Sequence, residues 1–287
     1  MTAAAVPSLA CHQLRVVCGG RALLEGVDLA LPPGQLMAVV GKNGAGKSTL
    51  LKALCGDLSI DGGQVHLDGE SVAAQHPAAL ARRRAVLAQE THLAFDFPVR
   101  QVVGLGRLAH ADSDPACHAA AVDACLALTD TAHLADRTIT ALSGGERARV
   151  HLARVLAQID AHESDRHGPR YLLLDEPAAS LDWAHQIDLF GLLRRLVRPG
   201  RIGVLVTVHD LNLAARYTDR VLMLRDGRAL VDAEPARALS VDLLGRGFDI
   251  DARILAHPGG GPLIVAMGRV SAPDANHPKE THDAVEQ

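Results

Sequence analysis

Five apolar residues, Leu36 to Val40, run straight into Gly41-Lys42-Asn43-Gly44-Ala45-Gly46-Lys47-Ser48. A helical stretch from about Lys47 to Cys55 follows. No other stretch narrows the fold so far. A buried strand, a glycine-rich loop and a helix give the pattern G-x-x-x-x-G-K-[ST] the context it requires. The glycines let the backbone curl until successive N–H groups point at one spot, and the helix N-terminus adds partial positive charge. Such a cradle fits a polyphosphate. Lys47 is placed to reach the β- and γ-phosphates and Ser48 to ligate Mg2+, and the loop continues through Thr49.

A second strand supplies the carboxylates that this chemistry needs. Tyr171-Leu172-Leu173-Leu174 ends in Asp175-Glu176-Pro177. Asp175 at the strand tip would hold the metal, and Glu176 would orient and deprotonate an attacking water. Alone, the pair could be a solvated turn; downstream of a phosphate loop it reads as metal ligand and base. Apolar runs at Ile202 to Val208 and Arg220 to Leu224 alternate with helical stretches, which predicts a parallel sheet with crossover helices. Residues 9–31 read as short antiparallel strands turning at Gly19-Gly20, and another strand lies near Val65 to Leu67. Helical character is expected over 78–85, 99–135 and 146–159, with a short strand at 85–88. Residues 161–169 are polar and read as an exposed loop.

Composition sets outer limits. Hydrophobic residues make up 48% and charged residues 22%, the balance of a folded globular chain. Lys and Arg total 29 against 33 Asp and Glu, so the net charge of −4 gives no basic footprint for nucleic acid. No apolar run nears the roughly 18 residues of a membrane span. Met1 to Ala10 lacks the basic start of a secretory signal. Any membrane role is therefore expected through a partner. Cys11, Cys18, Cys55, Cys117 and Cys125 form no C-x-x-C, fit a reduced cytosolic compartment, and read as small buried hydrophobes.

A third element narrows the class. Leu142-Ser143-Gly144-Gly145-Glu146 opens the helix expected at 146–159, with Ser143 and Glu146 spaced as a capping box. This stretch resembles the signature motif of the ATP-binding-cassette (ABC) family. In that family it faces a γ-phosphate held by the other subunit of a head-to-tail dimer. Gln89 matches the family glutamine that links nucleotide state and metal to the membrane partner. Ala179-Ser180-Leu181-Asp182 resembles the loop that crosses the dimer interface, and His209 matches the histidine at the γ-phosphate. The other 14 histidines show no metal-ligand spacing and read as mostly solvated. The resemblance covers residues 9 to about 225.

It implies an α/β fold: a P-loop NTPase core, an N-terminal antiparallel β subdomain and an inserted helical subdomain. One cassette domain would span residues 1–270, with the helical part at about 90–150 and a flexible tail at 271–287. Catalytic roles fall on Glu176, His209 and Gln89. ATP contacts fall on Gly41, Lys42, Asn43, Gly44, Ala45, Gly46, Lys47, Ser48 and Thr49, and across the dimer on Ser143, Gly144 and Gly145. Mg2+ falls to Ser48, Gln89 and Asp175. The family usually stacks an aromatic on adenine near residue 18; Cys18 here has no π-face, which leaves the base to a weaker or different contact.

The chain carries one set of motifs and no membrane spans, so it resembles a stand-alone importer subunit. Two copies would work with two permease subunits and, through them, a periplasmic solute-binding protein, at the cytoplasmic face of the bacterial inner membrane. Phe95-Asp96-Phe97-Pro98-Val99, Val102 to Arg107 and the stretch from His257 to Val265 resemble importers of iron–siderophores, vitamin B12 and heme. Ala184-His185-Gln186 and the insertion before Tyr171 are most like heme importers. Ferric siderophore or B12 import is the alternative. A soluble cassette ATPase of DNA repair or translation would need coiled coils, zinc modules or a second cassette. An ATP-gated scaffold would lack Glu176.

Overall fold

The computed structural model describes residues 7–89, 96–110, 113–161 and 168–269. Phe95, most of the 161–169 insertion and the tail beyond 269 lie outside them.

The chain opens with β1 (Leu9–Cys18) and β2 (Arg21–Leu31), joined at Gly19-Gly20, and then enters β3 (Leu36–Val40) and α1 (Lys47–Cys55). β4 (Gly62–Leu67), β5 (Glu70–Ser71), α2 (Pro77–Arg83) and β6 (Arg84–Leu87) follow. The helical part holds α3 (Val99–Gly104), a 3-10 stretch at Leu105–His110, α4 (Pro115–Leu128) and α5 (Gly144–Gln158). β7 (Arg170–Leu174), α6 (Trp183–Val197), β8 (Ile202–Thr207), α7 (Leu211–Tyr217) and β9 (Arg220–Arg225) restore the alternation. The chain then runs through β10 (Arg228–Ala233), α8 (Pro235–Ala238), α9 (Val241–Phe248), β11 (Ile250–Ala256) and β12 (Pro262–Arg269).

The main sheet has the order β10-β9-β3-β8-β7-β6. β9, β3, β8, β7 and β6 are mutually parallel, and β10 closes the edge antiparallel. The strands β3, β7, β8 and β9 are buried, largely apolar runs because both faces are covered there. Alternate residues serve different cores. Leu36, Ala38 and Val40, with Leu172, Leu174, Val204 and Val206, pack with α5 and α6 on one face. Met37 and Val39, with Tyr171, Leu173 and Leu205, pack with α1 and the antiparallel sheet β2-β1-β4-β5 on the other. This is the expected α/β P-loop NTPase fold with its antiparallel and helical additions.

Some expectations are corrected. The first two strands are long, ten and eleven residues. The helix expected at 146–159 starts at Gly144. Two histidines read as solvated are buried. His110 Nε2 meets the Gln158 carbonyl at 2.8 Å, and the neighbouring Arg107 pairs with buried Asp160. His151 sits inside α5.

Because β3, β6, β7 and β8 run parallel, their C-terminal ends meet at one edge. An open α/β sheet binds ligands beyond those ends.

Candidate active site

The phosphate loop leaves the end of β3 and enters α1 with Gly46 as the residue before the helix, at φ 103°. A Cβ there would lie 2.8 Å from Leu24 Cδ2 and 2.9 Å from the Leu23 carbonyl, so only glycine fits. Gly41 is held as tightly, against the Leu224 carbonyl. Lys47 is buried, and its Nζ donates to the carbonyls of Gly41 at 2.9 Å and Lys42 at 3.3 Å. Burial pushes the Lys47 ammonium below the usual lysine range, while the charges of Glu176 and Asp175 oppose that shift.

β7 delivers Asp175, buried, and Glu176, partly exposed. Glu176 has a left-handed backbone, φ 50°, which is rare for a long side chain and costs on the order of 1–3 kcal/mol. Thr207 at the end of β8 holds that turn. Its Oγ1 accepts from the Glu176 N–H at 2.8 Å and donates to Asp175 Oδ1 at 2.7 Å. Sequence reading missed Thr207, although it is the one hydroxyl in the run Ile202 to Val208, two residues before His209.

The Glu176 carboxylate is gripped from both sides. Gln89, two residues past β6, donates Nε2 to Oε2 at 2.9 Å. His209, two residues past β8, places Nε2 2.6 Å from Oε1. Asn43, Gly44, Gly46, Lys47, Ser48, Thr49, Gln89, Glu176 and His209 line one cavity of about 400 Å³. Leu23 of β2 completes it, whereas exposed Cys18 does not line it. An apolar side chain near the start of the second strand carried no signal in the sequence.

The oxygens present suit a hard cation. Thr207 occupies Asp175 Oδ1, and Gln89 spends its Nε2 on Glu176, which leaves Asp175 Oδ2 and Gln89 Oε1 as further oxygen donors; Gln89 and Ser48 line the cavity, and Asp175 does not. A carboxylate, an amide oxygen and a hydroxyl are the donor set Mg2+ takes with phosphate.

Ser143, Gly144 and Gly145 do not line this cavity. Ser143 caps α5, its Oγ accepting from the Glu146 N–H at 3.2 Å while Glu146 Oε2 accepts from the Ser143 N–H at 2.8 Å. Gly144 instead lines an adjoining cleft of about 390 Å³, which shares Gln89 and Glu176 with the cavity and adds Arg147, His151 and Ser180. Within one copy the signature stretch therefore stays outside the phosphate cavity.

Parallel strands, a phosphate loop and a clamped carboxylate define a nucleotide hydrolase of the P-loop class. Comparison places it further. The model of the ABC transporter family matches residues 24–179, more than half of the chain, and the chain belongs to this family as an ABC ATPase. It is 46% identical over 246 residues to the hemin import ATP-binding protein HmuV of Rhodopseudomonas palustris, covering 86% of this chain and 90% of the relative. It is 48% identical over 248 residues to the protein of the same name from Pseudomonas entomophila, covering 86% and 95%. A solved structure described as a metal-chelate type ABC transporter in an inward-facing conformation shares the fold. Its TM-score is 0.75 at 24% identity, over 91% of this chain and 98% of that one.

Proposed function

We propose that this chain is the ATP-hydrolysing subunit of a bacterial heme importer. The observation that carries the catalytic part is the Glu176 carboxylate, gripped by Gln89 and His209 at the mouth of the phosphate loop. ATP would lay its phosphates against the N–H groups of residues 41–49, with Lys47 on the β- and γ-phosphates. Glu176 accepts a proton from the attacking water, and His209 and Gln89 keep its oxygens aimed. Ser48, Asp175 and Gln89 would hold Mg2+, which when bound neutralises charge on the phosphate oxygens.

The cargo reading rests on relatives that bear the hemin import name over most of their length. The dimer reading rests on the signature stretch, which a second copy must bring to the cavity. Two copies would work with two permease subunits, and with a periplasmic binding protein through them, from the cytoplasmic face of the inner membrane. Among the described residues no helix is long and apolar enough to cross a membrane. The cassette domain would take in residues 1–270, with helical residues 90–150 as its subdomain and 271–287 as a tail.

The test is uptake by the intact complex in proteoliposomes. The unmodified complex should hydrolyse ATP and move hemin. Glu176→Gln should bind ATP, lose turnover and trap an ATP-bound dimer, whereas Lys47→Ala should fail to bind. Near-normal turnover by Glu176→Gln would overturn the base assignment. A complex that moves a ferric siderophore and no hemin would overturn the cargo.

A further inference from the structure

The C-terminal segment, α9 with the β11–β12 hairpin, supplies nothing to the cavity lining, yet it touches the phosphate loop and the His209 strand end. The first contact is at Asp249, the residue that ends α9. Its backbone is left-handed, φ 56°, and its N–H bonds the Gly245 carbonyl at 3.0 Å. Its Oδ2 pairs with Nζ of Lys42, the second residue of the phosphate loop. Its Oδ1 takes Arg225 Nη1 at 2.6 Å, and the same guanidinium nitrogen reaches the Arg246 carbonyl. Arg225 leads into the turn whose Gly227 N–H donates to the Ala45 carbonyl, inside the loop, at 3.2 Å. Lys42 does not line the phosphate cavity. Its ammonium is turned outward onto Asp249, and the two cations hold that carboxyl below the usual carboxylate range.

The second contact lies at the far end of the segment. Ile264 of β12 exchanges two hydrogen bonds with the Asn212 side chain. Its N–H donates to Oδ1 at 2.7 Å, and its carbonyl accepts from Nδ2 at 3.2 Å. Asn212 stands in the first turn of α7, three residues after His209. Between the two contacts the segment is continuous. β11 follows Asp249 directly and pairs with β12 from Ile250↔Arg269 to Ala256↔Pro262. α9 is seated on the sheet by Leu244, fully buried, and by Gly247, which packs on Met223.

We propose that residues 241–269 form a brace that fixes the phosphate loop and the His209 segment relative to each other, with Asp249 and Asn212 as its positioning residues. The two sides of the cavity come from different strands, and a site works only when its parts are held to a fraction of an ångström. The sheet fixes the strand ends; the loop beyond β3 and the turn beyond β8 extend past them. Neither Asp249 nor Asn212 touches the reacting atoms. Asp249 also shows why a carboxylate stands there: asparagine would accept the left-handed backbone equally well, but it could not collect two cations.

The proposal rests on the ATPase reading, and a double-mutant cycle in MgATP hydrolysis by the full chain tests it. Asp249→Asn and Asn212→Ala should each raise KM for MgATP about threefold to fivefold, the scale of one exposed ion pair or one ordinary hydrogen bond. Asp249→Glu should stay near the unmodified KM. If one brace carries both effects, cutting it at either end suffices, so the double variant should match the single ones. Residues that share no partner normally contribute independently, and their fold-changes would multiply. A merely structural loss would lower the active fraction, and with it kcat, leaving KM unchanged. Should Asn212→Ala fail to fold, Asn212→Asp, which keeps the 2.7 Å bond and loses the 3.2 Å one, takes its place. Single variants with unchanged KM, or a double variant whose effect is the product of the two, would overturn the brace. An unmodified chain without MgATP hydrolysis would overturn the ATPase reading itself.

Discussion

Thr207 is fully buried, and its one hydroxyl serves both acidic residues of the β7 end, the Asp175 carboxylate and the Glu176 backbone N–H. It accepts from the backbone of Glu176, whose left-handed φ needs an anchor, and it points Asp175 with the same oxygen. Thr207→Val keeps the shape and removes both bonds. The Glu176 N–H and Asp175 Oδ1 are then left without this partner, at a cost of about 1–3 kcal/mol. Thr207→Val is expected to lower both the denaturation midpoint and kcat, while Thr207→Ser, which keeps the hydroxyl, retains most of kcat. Steady-state hydrolysis and urea unfolding on the three proteins decide it; equal kcat for Val and Ser would remove the positioning role. In the sequence this residue was hidden, because threonine is an ordinary strand former. Lys47, Ser48, Asp175 and Glu176 were legible, since a motif and a strand end mark them. The grip of Gln89 and His209 on one carboxylate was not, because residues 89, 176 and 209 meet only once three strands lie side by side.

At the scale of elements, the strands buried on both faces were readable as unbroken apolar runs, and the Ser143–Glu146 spacing announced the start of α5. β11 and β12 went unread because much of the hairpin is exposed and alternates weakly. α5 also holds a cost that its sequence did not show. His151 is buried on it, and neither ring nitrogen has a hydrogen-bond partner. Burial, reinforced by the charges of Arg154 and Arg147, pulls its pKa down to about 4. The folded state therefore keeps this ring neutral while the unfolded chain protonates it near pH 6.5. Stability from this group is intact above pH 6.5 and is lost as the pH falls toward 4. Between pH 6.5 and 5 the loss is about 2 kcal/mol, an order-of-magnitude figure. His151→Leu should flatten that part of the profile. Chemical unfolding of both proteins at several pH values measures the difference. Parallel profiles would mean that water or a shift of the helix satisfies the ring.

At the scale of the whole molecule, the proposed dimer would draw two halves of different sites from one copy. Its cavity is not lined by the signature stretch, and Ser143 and Gly144 lie exposed, Gly144 on the adjoining cleft. Ser180 and Leu181 abut those glycines: a Cβ on Gly145 would lie 3.5 Å from Leu181 Cδ2. Two residues further on, α6 begins with Trp183, capped by Asp182, whose Oδ1 accepts from the His185 N–H at 2.9 Å. An indole at a helix start can pack into its own subunit or face outward. This one is 85% exposed, with Ile187, one turn on, 47% exposed beside it. So large an apolar side chain next to the signature face fits the contact that a second copy would make in the proposed head-to-tail dimer. In the Glu176→Gln protein, which should stay ATP-bound, MgATP is expected to shift tryptophan emission to shorter wavelength as the indole leaves water. The signal comes from a single residue, since Trp183 is the only tryptophan in the chain. The change should grow with protein concentration, because it reports association, and MgADP should not produce it. Trp183→Ala should weaken ATP-driven dimerisation in size-exclusion chromatography and leave the folded monomer intact. A flat emission signal while chromatography shows a dimer would place the indole outside the interface.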